Sequence, residues 1–568
     1  MPRFLSHFAM FLMLAAAGGW LWLHHAKAWD LGRRSPVLSY DAAQYAVAAR
    51  ELAFRGRLAT TFALPIELAR HPAPPWPLAL VQPGLVVAEA ALFRIFPPEI
   101  HMIRGFPFEA TRPDQLEWIV LVIPFVSFIV VAVGLGLAVS HILRRYHSSV
   151  GIGTRALAGT VTGLAFLLDP EAQHFAVGGF TELPFTLGLV GAAAALALRI
   201  APRLPFLFGL ELGATGSFRG TMLWLMPCFV LGSVAAAPSG RRLRVLLLTL
   251  AGYALPLAPW WLYKWHAFGT PLWDLSALSV WDGVQGRTWF SIFHLPEIAN
   301  FPHGSEAVAL LAKKLFHNLP DVLLSLATGP LPLLAGALAL WWFTAREAPR
   351  ALRAAAITVI ALTLVNAIAT SISVPQLRYL FPNRALLEAA GLLALWGLVA
   401  RAEPLSPAAR RTIAALCAVL VLTWGVYQTL LVNAEARRTA TERGVPSALT
   451  LLQIASLMSR EIPVGEAVMS NLGPTLAWES RRPVIHLALS PDLITACRRK
   501  MDFRHVLLVF RDAAHAWPEW AQVVEHPVDA LHHAEWNVVK VRRFESADGF
   551  SILWMDLGVL GPEMAFAR

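Results

Sequence analysis

Charged residues are scarce in this sequence. Asp, Glu, Lys and Arg make up 15% of its 568 residues, whereas a soluble globular chain carries about 25%. Hydrophobic residues make up 56%, and the mean hydropathy is +0.55. This composition argues against a chain of several water-soluble domains. It indicates a protein that is embedded in a membrane.

Cysteine is also scarce. The chain has Cys228, Cys417 and Cys497, and the first two lie inside apolar stretches. A disulfide therefore cannot stabilise the more polar C-terminal region, whose hydrophobic core must do so alone. That region also contains no CxxC motif and no phosphate-binding glycine pattern.

Long apolar stretches recur along the first 432 residues. Their usual length of about 17–25 residues suffices to cross a hydrocarbon core of about 30 Å. Together they predict about eleven transmembrane helices. The stretches lie at 4–23, 116–143, twice within 159–199, twice within 206–237, and at 245–261, 321–343, 354–371, 382–400 and 412–432.

Arginine clusters between these stretches predict the orientation of the chain. Short loops that are rich in Lys and Arg stay cytoplasmic. If every such cluster is inside, the spans alternate consistently, the N-terminus is cytoplasmic and the C-terminal region is extracytoplasmic. The same arginines explain the net charge of +10, so the charge requires no nucleic-acid partner.

The predicted fold class is an α-helical polytopic membrane protein with a C-terminal extracytoplasmic α/β domain. Residues 1–432 form the membrane domain, with outer loops at about 25–115 and 262–320 whose amphipathic stretches suit the membrane surface. Residues 433–568 contain a helical stretch followed by alternating strand-like and helical runs, with a turn at 471–474. This pattern predicts the α/β domain.

The first outer loop contains the most informative segment, at 39–56. Ala42, Tyr45 and Ala49 follow helical spacing, so the segment predicts a helix that Asp41 opens. In one interpretation Asp41 is the N-cap, and Gln44 completes a capping box. In the other, its carboxylate is a general base at the membrane surface. The two roles are compatible, because a capping carboxylate keeps a free lone pair.

The same segment resembles a motif of the GT-C superfamily of lipid-dependent glycosyltransferases, D-x-x-x-Y-x-x-x-A-R-E-x-x-x-x-G. The branch is the one that holds the bacterial aminoarabinose transferases and the protein O-mannosyltransferases. Segments at 71–76, 181–185, 259–271 and 376–382 resemble further motifs of this branch in the same order, so the resemblance covers about residues 1–400. The residues that match the first motif are Asp41, Tyr45, Ala49, Arg50, Glu51 and Gly56.

The resemblance is incomplete in the first outer loop. Ala42 stands where the O-mannosyltransferases have a second acidic residue, and Ala43 stands where the oligosaccharyltransferases complete a D-x-D motif. The lysine of the family's K-P-P-L segment is also missing, which leaves Arg70 and His71 as the nearest cations. A metal site built wholly from this loop is therefore not expected.

The resemblance implies the transfer of a sugar from a polyprenyl-phosphate donor to an acceptor hydroxyl. The location would be the outer face of a bacterial inner (plasma) membrane, with Asp41 as the general base and inversion of configuration. A glycolipid, a polysaccharide or a protein remains open as the acceptor, and membrane lipids surround the chain. The candidate residues for the donor phosphate are Arg378, Tyr379, Arg70 and His71, and arginine suits bidentate phosphate contact.

Acidic residues near the outer ends of spans are further candidates. Glu182, Glu171 and Asp169 are auxiliary acids, which alternatively are solvated or capping carboxylates. Asp41, Glu171 and His174 are candidate ligands of a divalent metal ion, which stays open as a cofactor. Arg378 has the alternative role of a membrane-surface anchor.

Two other functions are retained as alternatives. A transporter needs ionisable residues at mid-membrane depth, and a lipid-linked oligosaccharide ligase or polymerase typically has its working loop late in the chain. A cavity at the outer face, lined by Asp41, Glu182 and Arg378, would favour the transferase.

Overall fold

The computed structural model describes residues 2–96, 115–147, 150–297, 301–326, 331–344, 348–401, 406–439, 445–528 and 536–559. Part of the predicted first outer loop, 97–114, therefore lies outside the described residues. So do parts of the predicted C-terminal domain, at 440–444, 529–535 and 560–568.

The described chain is mostly helical, with short strands in two regions. The helices are α1 (Pro2–Ala28), α2 (Tyr40–Arg55), α3 (Pro65–Leu68), α4 (Pro83–Ile95), α5 (Gln115–Val120), α6 (Val122–Tyr146), α7 (Ile152–Leu167), α8 (Pro170–Gly178), α9 (Glu182–Ala197), α10 (Pro205–Phe218), α11 (Met222–Ala236), α12 (Arg242–Phe268), α13 (Trp289–Phe293), α14 (Gly304–Leu326), α15 (Leu331–Thr344), α16 (Arg350–Ile372), α17 (Phe381–Arg401), α18 (Pro407–Thr439), α19 (Ala448–Glu461), α20 (Gly473–Ser480), α21 (Leu493–Lys500) and α22 (Ala521–Glu525). The strands are β1 (Ala59–Thr60), β2 (Phe62–Ala63), β3 (Trp76–Pro77), β4 (Val468–Ser470), β5 (Val484–His486), β6 (His505–Phe510), β7 (Val538–Glu545) and β8 (Ser551–Leu557).

Every predicted apolar stretch coincides with one or more of these helices. Among the described residues, five helical stretches are long and apolar enough to cross a membrane, and the bent pair α14–α15 is a candidate sixth. Helices α7, α9 and α11 are apolar but shorter. The chain is thus a multi-pass membrane protein, while the number of about eleven spans stays a prediction. The five stretches are Leu5–Ala28, Leu116–Tyr146, Ser239–Phe268, Arg350–Ile372 and Ala415–Arg437.

Glycines allow α10 and α12 to pack closely in the membrane domain. A Cβ atom on Gly209 of α10 would lie 2.2 Å from the carbonyl oxygen of Thr249 in α12, and one on Gly252 of α12 would lie 2.2 Å from that of Phe206. Small residues permit such backbone contact between membrane helices. The close packing matters for the site, because α10 leads into Arg219 and α12 carries Lys264.

The C-terminal region forms a six-stranded sheet in the order β2-β5-β4-β6-β8-β7. Strands β2, β5, β4 and β6 run parallel, and β8 pairs antiparallel with β6 and β7. Side chains alternate between two faces: Val468 and Val484 pack with residues of α19 and α20, whereas Met469 and Ile485 pack with residues of α21. The predicted α/β character of this region is confirmed.

Two features of this sheet differ from the prediction. The turn predicted at 471–474 is confirmed only at Asn471 and Leu472, because α20 begins at Gly473 and connects β4 to β5. The edge strand β2 comes from the first outer loop, where Phe62 pairs with Val484. The division of the chain at 432 stays a prediction, but one strand of the sheet lies on the other side of it.

Candidate active site

The helix that carries Asp41 begins two residues earlier than the sequence suggested. Ser39 is the N-cap of α2, and its hydroxyl accepts a hydrogen bond from the amide of Ala42 at 3.2 Å. The interpretation of Asp41 as the N-cap is therefore wrong. Its carboxylate lies in the first turn of α2 and is not used to cap the helix.

The C-terminal half of α2 is held by contacts with the C-terminal region of the chain. Arg50 is half-buried and donates from Nη1 to the carbonyl oxygen of Trp478 at 2.7 Å, and from Nη2 to that of Ala477 at 2.8 Å. Its guanidinium also lies 4.9 Å from the centre of the Trp478 ring. Helix α2 is thereby fixed against α20.

Asp41 forms an ion pair with Arg378. Nη1 of Arg378 donates to Oδ2 of Asp41 at 2.8 Å, and the two side chains are 35% and 33% exposed. Arg378 lies in a 3₁₀ turn just before α17. Burial lowers the pKa of Arg378, but the Asp41 carboxylate and the other groups near the guanidinium together raise it by a larger amount, so the net pKa is raised. The guanidinium is therefore charged.

A second ion pair lies beside the first. Nη1 of Arg219, between α10 and α11, is 2.7 Å from Oε1 of Glu182 at the start of α9. The guanidinium carbons of Arg219 and Arg378 both lie 5.3 Å from the centre of the Tyr379 ring. Two cationic groups thus flank one tyrosine.

A further set of polar side chains comes from α12 and both outer loops. Nζ of Lys264 lies 3.8 Å from Oδ2 of Asp274, which also accepts a hydrogen bond from Gln82 at 3.2 Å. The indole nitrogen of Trp260 donates a hydrogen bond to Oε1 of Gln82 at 2.9 Å. Trp260 and Lys264 lie in the segment 259–271 that resembles a family motif, whereas Gln82 and Asp274 lie outside every such segment and had no sequence signal.

These groups line one cavity of about 1000 Å³. Asp41, Glu182 and Arg378 all line it, as the transferase interpretation predicts, and so does Tyr379. Aromatic side chains from three parts of the chain complete its lining. Among these lining residues are Tyr40, Tyr45, Trp260, Phe290, His294 and His486.

The other auxiliary acids do not line this cavity. Asp169 is the N-cap of α8, and Asp169 and Glu171 both form ion pairs with Arg384 of α17. His174 packs against aromatic rings, with Trp29 at 5.1 Å and Phe180 at 5.6 Å. These residues connect α8 to its neighbours.

Arg70 and His71, the cationic residues nearest to the position where the family has a lysine, also do not line the cavity. Arg70 donates to the carbonyl oxygen of Phe268 at 3.1 Å, and the ring of His71 packs edge-on against the Phe268 ring at 5.6 Å. In the structure both residues contact the end of α12. Their predicted contact with a donor phosphate stays a prediction without geometric support.

Asp41, Glu171 and His174 do not form a common metal site. Within the described ranges, no group of three or more His, Cys, Asp or Glu residues is arranged to hold a metal ion. Asp41 contacts Arg378, Glu171 contacts Arg384, and His174 lies among aromatic rings.

The fold and the cavity together define a polytopic membrane protein with a charged cavity beside a C-terminal sheet. No protein-family model and no curated protein matches this sequence. Solved structures do match it, among them two of ArnT from Cupriavidus metallidurans.

The alignment with ArnT bound to undecaprenyl phosphate covers 96% of this chain and 97% of the ArnT chain. The TM-score is 0.54 and the sequence identity is 14%. The alignment with ArnT in the apo state covers 95% of this chain and 98% of the ArnT chain, with a TM-score of 0.51 and a sequence identity of 13%. The chain therefore has the fold of ArnT over nearly its whole length. The predicted resemblance is confirmed at the level of the fold.

Proposed function

We propose that this chain transfers a sugar from a polyprenyl-phosphate donor to a hydroxyl group of an acceptor substrate. The observation that carries the proposal is the contact between Asp41 and Arg378 inside a cavity of about 1000 Å³. A carboxylate and a cation are the two groups that such a transfer requires. The fold shared with a protein that binds undecaprenyl phosphate supports the same donor class here.

The donor phosphate binds to Arg378 and Arg219 in this proposal. Both guanidinium groups flank Tyr379 and face the cavity. Each can form paired hydrogen bonds to phosphate oxygens. Glu182 holds Arg219 in place, and its side chain is only 3% exposed, so it acts on the phosphate through Arg219.

Asp41 accepts the proton of the attacking hydroxyl. A phosphate bound to Arg378 competes with Asp41 for the guanidinium and leaves the carboxylate free to act. The acceptor oxygen bonds to the anomeric carbon as the bond from that carbon to the phosphate oxygen breaks, and configuration inverts. The leaving oxygen takes the electron pair, and the two arginines stabilise its charge.

The proposed location is the inner membrane of a bacterium, with the cavity on the outer side. The arginine-rich loops support this orientation. Reporter fusions test it: a reporter after Phe544 should report an extracytoplasmic position, and one at Arg242 a cytoplasmic position. A cytoplasmic signal after Phe544 would overturn the orientation.

Mass spectrometry of envelope glycolipids, polysaccharides and proteins, with and without the gene, tests the function. We expect one sugar modification to disappear and to return with the wild-type gene but not with Asp41→Asn. Asp512→Asn is the matched control, because Asp512 is exposed and contacts only the neighbouring His515 turn. Restoration by Asp41→Asn would show that Asp41 is not the base, whereas a defect in uptake of a solute without any change in glycans would favour a transporter.

A further inference from the structure

Two histidines from distant parts of the chain meet in one wall of the cavity. His294 follows α13 in the second outer loop, and His486 is the last residue of β5. Their side chains are almost wholly buried, yet both residues line the cavity. Nε2 of His294 lies 3.2 Å from Nδ1 of His486, and the amide of Leu489 donates to the carbonyl oxygen of His294 at 2.9 Å.

The contacts of the two rings determine where their protons lie. Nδ1 of His294 is 2.6 Å from the carbonyl oxygen of Phe290, and a carbonyl can only accept, so Nδ1 carries the proton. Burial lowers the pKa of His294 to about 4 and that of His486 well below its ordinary value. Each ring is therefore neutral with one proton. Nε2 of His294 accepts, and Nδ1 of His486 donates to it.

This arrangement leaves Nε2 of His486 as an unprotonated hydrogen-bond acceptor. In the part of the chain that the structure describes, no side chain or amide donates to this atom. His486 itself lines the cavity, so a molecule bound there can contact its ring. A hydroxyl group of a bound molecule can donate to it.

Aromatic rings surround this acceptor. Phe290 stacks on His294 with ring centres 4.0 Å apart, and Tyr40 lies 5.6 Å from His486. Trp517 stacks parallel to His486 at 5.7 Å and supports it. We call Tyr40, Phe290, His294 and His486 the aromatic wall. Flat apolar faces around one well-placed polar atom are typical of a binding site for a ring that carries hydroxyl groups.

We infer that the aromatic wall binds a sugar ring of the acceptor substrate, with one hydroxyl donating to Nε2 of His486. The inference rests on the proposed function and adds the class of acceptor substrate, a glycan or glycolipid. The proposed phosphate ligands Arg378 and Arg219 lie at the ends of membrane helices, where a lipid-linked donor arrives. The aromatic wall is built from both outer loops and the C-terminal sheet, so it faces the other substrate.

Kinetics of two variants of His486 test the inference. His486→Asn keeps an N–H group near Nδ1 for His294 but has no atom at Nε2, whereas His486→Gln places an amide oxygen near Nε2. In a transfer assay with total glycolipid extracted from native membranes, we expect His486→Asn to raise the KM for the extract about tenfold, the loss of one hydrogen bond. The KM for the donor stays the same, and His486→Gln recovers part of the affinity.

His505→Asn is the matched control. His505 lies in β6 of the same sheet, bonds through Nδ1 to Asp556 at 2.9 Å and does not line the cavity. We expect it to leave both KM values unchanged. A rise in the KM for the donor with His486→Asn, or no change in either KM, would overturn the inference while transfer itself stands.

Chemical modification gives a readout that does not depend on turnover. Diethyl pyrocarbonate reacts with unprotonated, accessible imidazole nitrogens, so His486 should be modified in the full-length protein in nanodiscs. Glycolipid extract should slow this reaction, and undecaprenyl phosphate alone should not. An unreactive His486, or equal protection by the phosphate, contradicts the inference. Protection without any sugar transfer would instead overturn only the proposed function.

Discussion

Arg378 and Arg384 lie close together in the chain, and each pairs with acidic side chains, but their surroundings differ. Arg378 is about one-third exposed and pairs with Asp41 at the cavity. Arg384 is 18% exposed, pairs with Asp169 and Glu171, and does not line the cavity. An open ion pair can exchange one partner for a ligand. The pair of Arg384 with Asp169 cannot, because the Asp169 side chain is only 10% exposed and separation leaves its charge without water or a counter-ion.

The same comparison assigns different tasks to the two pairs. Asp169 also caps α8 and accepts hydrogen bonds from the amides of Glu171 and Ala172. The Arg384 pair therefore fixes α8 against α17 and stabilises the helix bundle. The Arg378 pair instead holds a carboxylate where a substrate can reach it.

The largest expected effect comes from Asp41→Asn. The substitution keeps the size of the side chain and removes the base, so the transfer rate should fall about 10²–10⁴-fold. Stability should change little, because a half-open ion pair contributes about 0–1 kcal/mol. Transfer by the purified variant at nearly the wild-type rate would show that Asp41 is not the base.

Arg384→Ala should produce the opposite pattern. Removal of one partner of a buried pair leaves Asp169 without its counter-ion, which costs about 3–5 kcal/mol of folding stability. We expect a lower midpoint temperature of heat-induced aggregation in detergent, with the KM for the donor unchanged in the protein that remains folded. An unchanged midpoint together with a raised KM would reverse the comparison between the two arginines.

Arg378→Ala should weaken use of the donor. A hydrogen bond to a charged group contributes about 1.5–3 kcal/mol, so the KM for the donor should rise by roughly one to two orders of magnitude. The KM for the acceptor substrate should stay the same. Arg378→Lys should recover only part of the affinity, because a point charge replaces a planar fork. Equal donor kinetics in both variants and the wild type would make Arg378 a membrane-surface anchor.

The smallest expected effect comes from Ser39→Ala. Loss of the N-cap of α2 should cost about 1 kcal/mol, and Ser39→Gly should cost less. Because α2 is also fixed by Arg50, Asp41 should keep its position and the transfer rate should fall only slightly. A loss as large as that of Asp41→Asn would mean that the cap itself positions the carboxylate.

Sequence patterns predicted the elements of the fold better than the contacts between them. The apolar stretches and the strands of the C-terminal sheet were found because their periodicity is local. The strand β2 is too short to have a pattern, and its partner β5 is far away in the chain. Helix α20 begins with Gly473-Pro474, which locally favours a turn. Proline, however, is also compatible with the first turn of a helix.

In the candidate site, too, the sequence predicted residues that lie in motif-like segments and missed residues that meet only through contacts between distant segments. Asp41, Glu182 and Arg378 were predicted to line one cavity because each belongs to a segment that resembles a family motif, and all three do. His294 and His486 were missed because neither lies in a motif and their contact joins two segments with no sequence relation. Asp41 was mistaken for the N-cap because Ser39 is an equally good cap, and the sequence alone does not separate the two.

The pairing of β2 with β5 has a consequence for how this protein is made. Phe62 leaves the ribosome early, whereas Val484, its partner in the sheet, is synthesised only after the membrane helices. The strand β2 must therefore wait at the membrane surface, unpaired, while most of the chain is inserted. Contacts between such distant segments form slowly. The cavity around Asp41 is thus completed only at the end of biogenesis, and a prematurely terminated chain carries Asp41 without it.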